Sequence, residues 1–179
     1  MDKREPLFLT PPEEISHLKG LHVPDIRLAS TDDTGVHLAE GGLTVVYAYP
    51  RISPAGGAWE GWDAIPGARG CTSQSCAFRD HYAELRGLGV ERLYGLSSQA
   101  TDEQKEAVER LHLPFPLLSD PALSLSRALR LPLFEARGIT LIKRLTLVMR
   151  HGRIEHVFYP VPSPEHHAKT VLAWLRDFG

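Results

Sequence analysis

The run Leu43-Thr44-Val45-Val46-Tyr47-Ala48-Tyr49 constrains this chain more than any other stretch. It is β-branched and aromatic, apolar at nearly every position, and stopped by Pro50. A strand that alternated apolar and polar residues would leave one face in water, and this run has no such face. It therefore belongs at the centre of a sheet covered on both sides, which requires helices before and after it.

The rest of the chain supplies them. Residues 25–30 and 36–39 read as short strands joined by the turn residues Thr31-Asp32-Asp33-Thr34-Gly35. Residues 92–97 form a second strand candidate, Thr101-Asp102-Glu103-Gln104 opens a helix to about Leu111, 115–119 is a short strand or extended run, and 122–129 is a short helix. Arg144-Leu145-Thr146-Leu147-Val148-Met149 is a third strong strand, turned back by His151-Gly152 into 153–159. Pro164 and Glu165 open a last helix with Ala168, Val171, Leu172, Leu175 and Phe178 on its expected buried face. The expected architecture is α/β: a central mixed β-sheet flanked by helices on both sides, one domain over residues 21–179. Residues 1–20 form an N-terminal extension with a short helix, opened by Thr10-Pro11-Pro12-Glu13 ahead of Ile15 and Leu18.

Charge limits the partners. Twenty basic against twenty-two acidic residues leave a formal charge of -2, without the basic excess that nucleic acid or an anionic membrane demands. No apolar run is long enough to span a bilayer, and the first six residues lack the apolar core of a signal peptide. The expected location is the cytoplasm, a reducing compartment in which a disulfide is catalytic rather than structural.

Both cysteines of the chain lie in Gly70-Cys71-Thr72-Ser73-Gln74-Ser75-Cys76, between a Gly/Pro/Trp-rich loop over 51–70 and a stretch where Phe78, Tyr82, Leu85 and Leu88 recur at helical spacing. Thr72 and Ser73 are the expected N-caps, which places Cys71 at or just before the first turn. Unpaired N–H groups and the positive end of the helix dipole favour an anion there, and a thiolate is the anion a cysteine offers. A zinc site fits poorly, since a C-x4-C pair has only His81 nearby and the adjacent His166 and His167 point apart. A static disulfide fits poorly too: residues five apart in a helix have Cα atoms about 8.7 Å apart, beyond the roughly 7 Å a disulfide tolerates.

Several motifs in order resemble the peroxiredoxins, thiol peroxidases on a thioredoxin-like fold, and most closely the bacterioferritin comigratory or peroxiredoxin Q branch. They are Val23-Pro24-Asp25, Tyr49-Pro50-Arg51, Gly70-Cys71-Thr72 with Cys76-Ala77-Phe78-Arg79-Asp80, Phe115-Pro116-Leu117-Leu118-Ser119-Asp120, and Arg144 heading a strand. The resemblance implies a peroxidatic Cys71, a resolving Cys76 in the same chain, and Arg144 beside the thiolate. It also implies reduction of hydrogen peroxide or organic hydroperoxides through a Cys71 sulfenic acid and a Cys71–Cys76 disulfide. A thioredoxin-like or glutaredoxin-like dithiol resets the pair; no cofactor or metal is implied, and the expected assembly is a monomer or weak homodimer.

The chain departs from the family where the active-site loop has proline and threonine seven and three residues before the peroxidatic cysteine, for Ala64 and Ala68 stand there. The loop is also longer, and carries Trp59 and Trp62. Pro50 and Pro66 are the candidates for the proline's role, and Thr72 for the hydroxyl's. From another class, the competing reading is a noncatalytic redox switch signalling through the same pair. A disulfide reductase would call for C-x-x-C, which is absent.

Overall fold

The structure, a computed structural model, describes residues 14–179. Its nine strands in chain order are β1 (Arg27–Ser30), β2 (Gly35–His37), β3 (Thr44–Ala48), β4 (Arg92–Ser97), β5 (Leu117–Ser119), β6 (Leu133–Ala136), β7 (Ile139–Ile142), β8 (Leu145–Arg150) and β9 (Arg153–Phe158). The helices are α1 (Cys71–Asp80), α2 (Tyr82–Gly87), α3 (Thr101–Leu111), α4 (Ser124–Ala128) and α5 (His167–Phe178). Seven strands make one mixed sheet in the order β2-β1-β5-β4-β3-β8-β9. The opening run lies inside it as β3, buried at all five positions, parallel to β4 and antiparallel to β8.

Alternation along β3 sorts the core into two layers. Val46 and Ala48 point into a cluster with Leu96, Leu118, Leu147 and the α4 residue Leu125, while Val45 and Tyr47 point into another with Phe78, Leu85, Val171 and Leu172. The central mixed sheet with helices on both faces is thus the architecture the pattern predicts. Among the described residues no helix is long and apolar enough to cross a membrane.

Several details differ from expectation. Thr10 to Glu13, the predicted helix opening, lies outside the described residues; 14–20 form turns, with Leu18 buried in the first of the two clusters. The helix after the cysteines is interrupted at His81, giving α1 and α2. Phe178 is 72% exposed, three residues after Leu175, the last buried residue of α5. The β6–β7 hairpin has no counterpart among the strands the pattern predicts. Its tip residues Arg137 and Gly138 have φ of 52° and 74°, a left-handed turn usually announced by Asn-Gly or Asp-Gly, so half of the signal is missing.

Candidate active site

Helix α1 begins where the chain can turn only through glycine. Gly70 is the N-cap with φ 106°, and a Cβ there would lie 2.8 Å from Pro164 Cγ. No side chain caps the helix, so Thr72 and Ser73 sit inside the first turn instead of closing it. Cys71 is therefore the first helical residue. Phe78 anchors the helix by stacking on Tyr47 of β3, ring centroids 4.5 Å apart and planes within 8°. Ser75 adds a hydrogen bond to the Tyr47 hydroxyl at 2.9 Å; burial of the ring pushes the Tyr47 pKa up, outweighing the downward pull of that bond, and holds the phenol neutral.

Cys71 is 3% exposed, and its Sγ is 3.5 Å from the Ala68 carbonyl oxygen. Arg144, just before β8, is also buried and reaches the same sulfur: Nη2 donates to Sγ at 3.2 Å. That nitrogen also contacts the carbonyl oxygens of Gly67, Ala68 and Arg69 at 3.2, 3.2 and 3.0 Å. Nη1 donates to Gln74 Oε1 at 2.5 Å. One guanidinium thus ties the turn before α1 to the helix itself. Nearby, His167 Nε2 pairs with Thr146 Oγ1 at 2.7 Å. Burial, helped by the Arg144 charge, lowers the His167 pKa to about 4, so its ring is neutral at pH 7.

Two cavities meet at this point. A small one of about 150 Å³ is lined by Cys71, Thr72, Ser73, Arg51 and Trp62 among others. A larger one of about 860 Å³ is walled by Ile65, Pro66, Phe134, Arg144, Tyr159 and Pro164 among others. Asp63, Arg69, Gly70 and Ser73 line both.

The structure brings Cys71, Thr72 and Arg144 together and places Pro66 in the neighbouring cavity. Pro50 is buried at the end of β3 and lines neither cavity. Ala68 is fully buried, and its carbonyl oxygen accepts from Arg144 Nη2. Cys76 is a free, half-buried thiol about one and a half helical turns from Cys71. His166 is exposed and His167 buried, and no metal-binding cluster of His, Cys, Asp and Glu occurs among the described residues. Sequence reading missed Gln74 and Arg51. Gln74 follows Cys71 by three residues, a spacing that puts both on one helix face, whereas nothing local marks Arg51 as lining the cavity of Cys71.

A single buried thiol at a helix start, fixed against an arginine on a thioredoxin-like sheet, defines a thiol-dependent redox enzyme as the class. Residues 18–172 match the family model described as Redoxin. Over 162 residues the chain is 32% identical to the chloroplastic peroxiredoxin Q of Oryza sativa subsp. japonica, covering 89% of this chain and 67% of that one. In fold it is similar to peroxidoxin BcpB from Mycobacterium tuberculosis, with TM-score 0.73 and 25% identity over 91% of this chain and 99% of that one. Peroxiredoxin Q from Xanthomonas campestris shares the fold with TM-score 0.71 and 24% identity over 88% and 96% of the two chains. The chain belongs to the redoxin family and, within it, to the peroxiredoxins of the Q or bacterioferritin comigratory type, which are thiol peroxidases.

Proposed function

We propose that Cys71 is the peroxidatic nucleophile of this peroxidase, Arg144 its electrostatic partner and Cys76 the resolving thiol. The observation that carries the reading is the 3.2 Å contact between Arg144 Nη2 and Cys71 Sγ inside a buried site. A buried cation requires an anion, and the Cys71 thiolate is the anion that contact stabilises. The thiolate attacks one peroxide oxygen, the O–O bond breaks, and Cys71 becomes a sulfenic acid while an alkoxide or hydroxide leaves and is protonated by water. Cys76 then condenses with the sulfenic acid, forming the Cys71–Cys76 disulfide and releasing water. A thioredoxin-type dithiol returns both to thiols by exchange.

Turnover with a dithiol reductant tests the division of labour. Cys71→Ser should abolish peroxide consumption, and Cys76→Ser should be oxidised once and then stall unless a small-molecule thiol is added. Turnover by the Cys71→Ser protein would refute the assignment.

A further inference from the structure

Ala68 stands where the family resemblance expects a hydroxyl for the peroxide, and its side chain has no donor to offer. Arg144 is already occupied, with Nη1 on Gln74 and Nη2 shared between three carbonyl oxygens and the sulfur. The small cavity contains a second guanidinium. Arg51, beyond the end of β3, lines it together with Cys71, and the buried Arg51 Nη1 has no hydrogen-bond partner among the described residues. Leaving a buried charged donor unpaired is costly, so an incompletely paired guanidinium on a residue that lines the Cys71 cavity marks a place for an incoming acceptor.

Arg51 is also held in place. The backbone beside it is clamped from both sides by one side chain, since Ile52 N donates to Gln99 Oε1 at 2.9 Å and Gln99 Nε2 donates to Ile52 O at 3.1 Å. Trp59 of the long loop faces the guanidinium, 4.2 Å from Cζ to the ring centroid, and is braced edge-on against Trp62 at 5.5 Å. Trp62 is itself buried against Ala68 and Leu141. A cation–π contact of this kind orients the guanidinium while leaving its N–H donors available.

We propose that Arg51 is a second catalytic guanidinium, donating an N–H to the departing peroxide oxygen in place of the hydroxyl that Ala68 lacks. The assignment rests on Cys71 being the nucleophile. In R–O–O–H the Cys71 thiolate bonds to the terminal oxygen as the O–O bond breaks. The sulfur is oxidised to Cys71–S–O–H, R–O⁻ leaves with the bonding pair, and water supplies its proton. Arg51 stays protonated throughout and contributes a hydrogen bond that strengthens as charge collects on the leaving oxygen.

The test compares two reactions of Cys71 in the full chain: oxidation by hydrogen peroxide, and alkylation by iodoacetamide, which has no peroxide oxygen to stabilise. Arg51→Ala should slow oxidation about 100-fold while alkylation stays within about twofold, as expected for a lost donor to the developing oxyanion. Guanidinium ion added to the Arg51→Ala protein should restore part of the oxidation rate, and Arg51→Lys should fall between the two. If Arg51→Ala does not fold, Arg51→Gln carries the same comparison. Unchanged oxidation, or oxidation and alkylation slowed by the same factor, would overturn the role of Arg51. A wild-type protein whose Cys71 is alkylated but not oxidised by peroxide would instead overturn the assignment of Cys71.

Discussion

Four neutral oxygens surround the Arg144 guanidinium, from Gly67, Ala68, Arg69 and Gln74, and among the described residues no carboxylate does. The arrangement orients the charge without neutralising it, so its attraction remains available to the Cys71 sulfur. Arg144→Lys keeps the charge but cannot span Gln74 and the sulfur together, because an ammonium lacks the planar fork. Peroxide attack on that variant should slow by roughly 10²-fold. An unchanged rate would remove Arg144 from the site. Gly70 makes a separate prediction. With φ 106° and Pro164 Cγ 2.8 Å from a would-be Cβ, Gly70→Ala should cost about 1–3 kcal/mol in a urea titration. The cost comes from the backbone and the Pro164 contact together.

At the scale of the element, α1 is the support of the site and, under the proposed Cys71–Cys76 disulfide, the part that yields. Cys71 and Cys76 lie in the same helix, where the ideal Cα separation of about 8.7 Å exceeds what a disulfide tolerates. Bond formation therefore requires the first turns of α1 to unwind, breaking the Tyr47–Phe78 stack and the Ser75–Tyr47 hydrogen bond. Amide exchange on verified reduced and disulfide forms should show faster exchange after oxidation within residues 71–85, with β3 unchanged. Equal protection of α1 in both forms would contradict this. Much of this element was legible in the sequence. The apolar run of β3, the helical spacing from Phe78 to Leu88 and the position of Cys71 are all local patterns. What was not legible depends on approach from a distance: the Gly70 cap is paired with Pro164, Gln74 with Arg144, and Arg51 with the long-loop Trp59. The β6–β7 hairpin was missed for a local reason, an Arg-Gly tip in place of a strong turn signal.

Across the whole molecule, both faces of the sheet are covered, and the site sits on the face that α1 shares with α5. His167 of α5 couples that packing to pH. Its folded pKa of about 4 is below the ordinary 6.5, so the unfolded chain binds the proton more readily. The stability that a neutral His167 provides is complete above pH 6.5 and is lost as pH falls from there towards 4. At pH 4.5 the loss should be on the order of 2–3 kcal/mol, and urea midpoints of the wild type and His167→Gln should converge as pH is lowered from 7 to 4.5. A constant difference between them would contradict a buried neutral ring. The central claim, that one oxidised chain joins Cys71 to Cys76 through a sulfenic acid on Cys71, is tested most directly by quenching reduced protein after one equivalent of hydrogen peroxide and mapping its peptides by mass. The account predicts a Cys71–Cys76 linkage in the wild type, an oxygen on Cys71 in Cys76→Ser, and no oxidation of Cys76 in Cys71→Ser. Oxygen found first on Cys76, or wild-type chains linked only to each other, would contradict it.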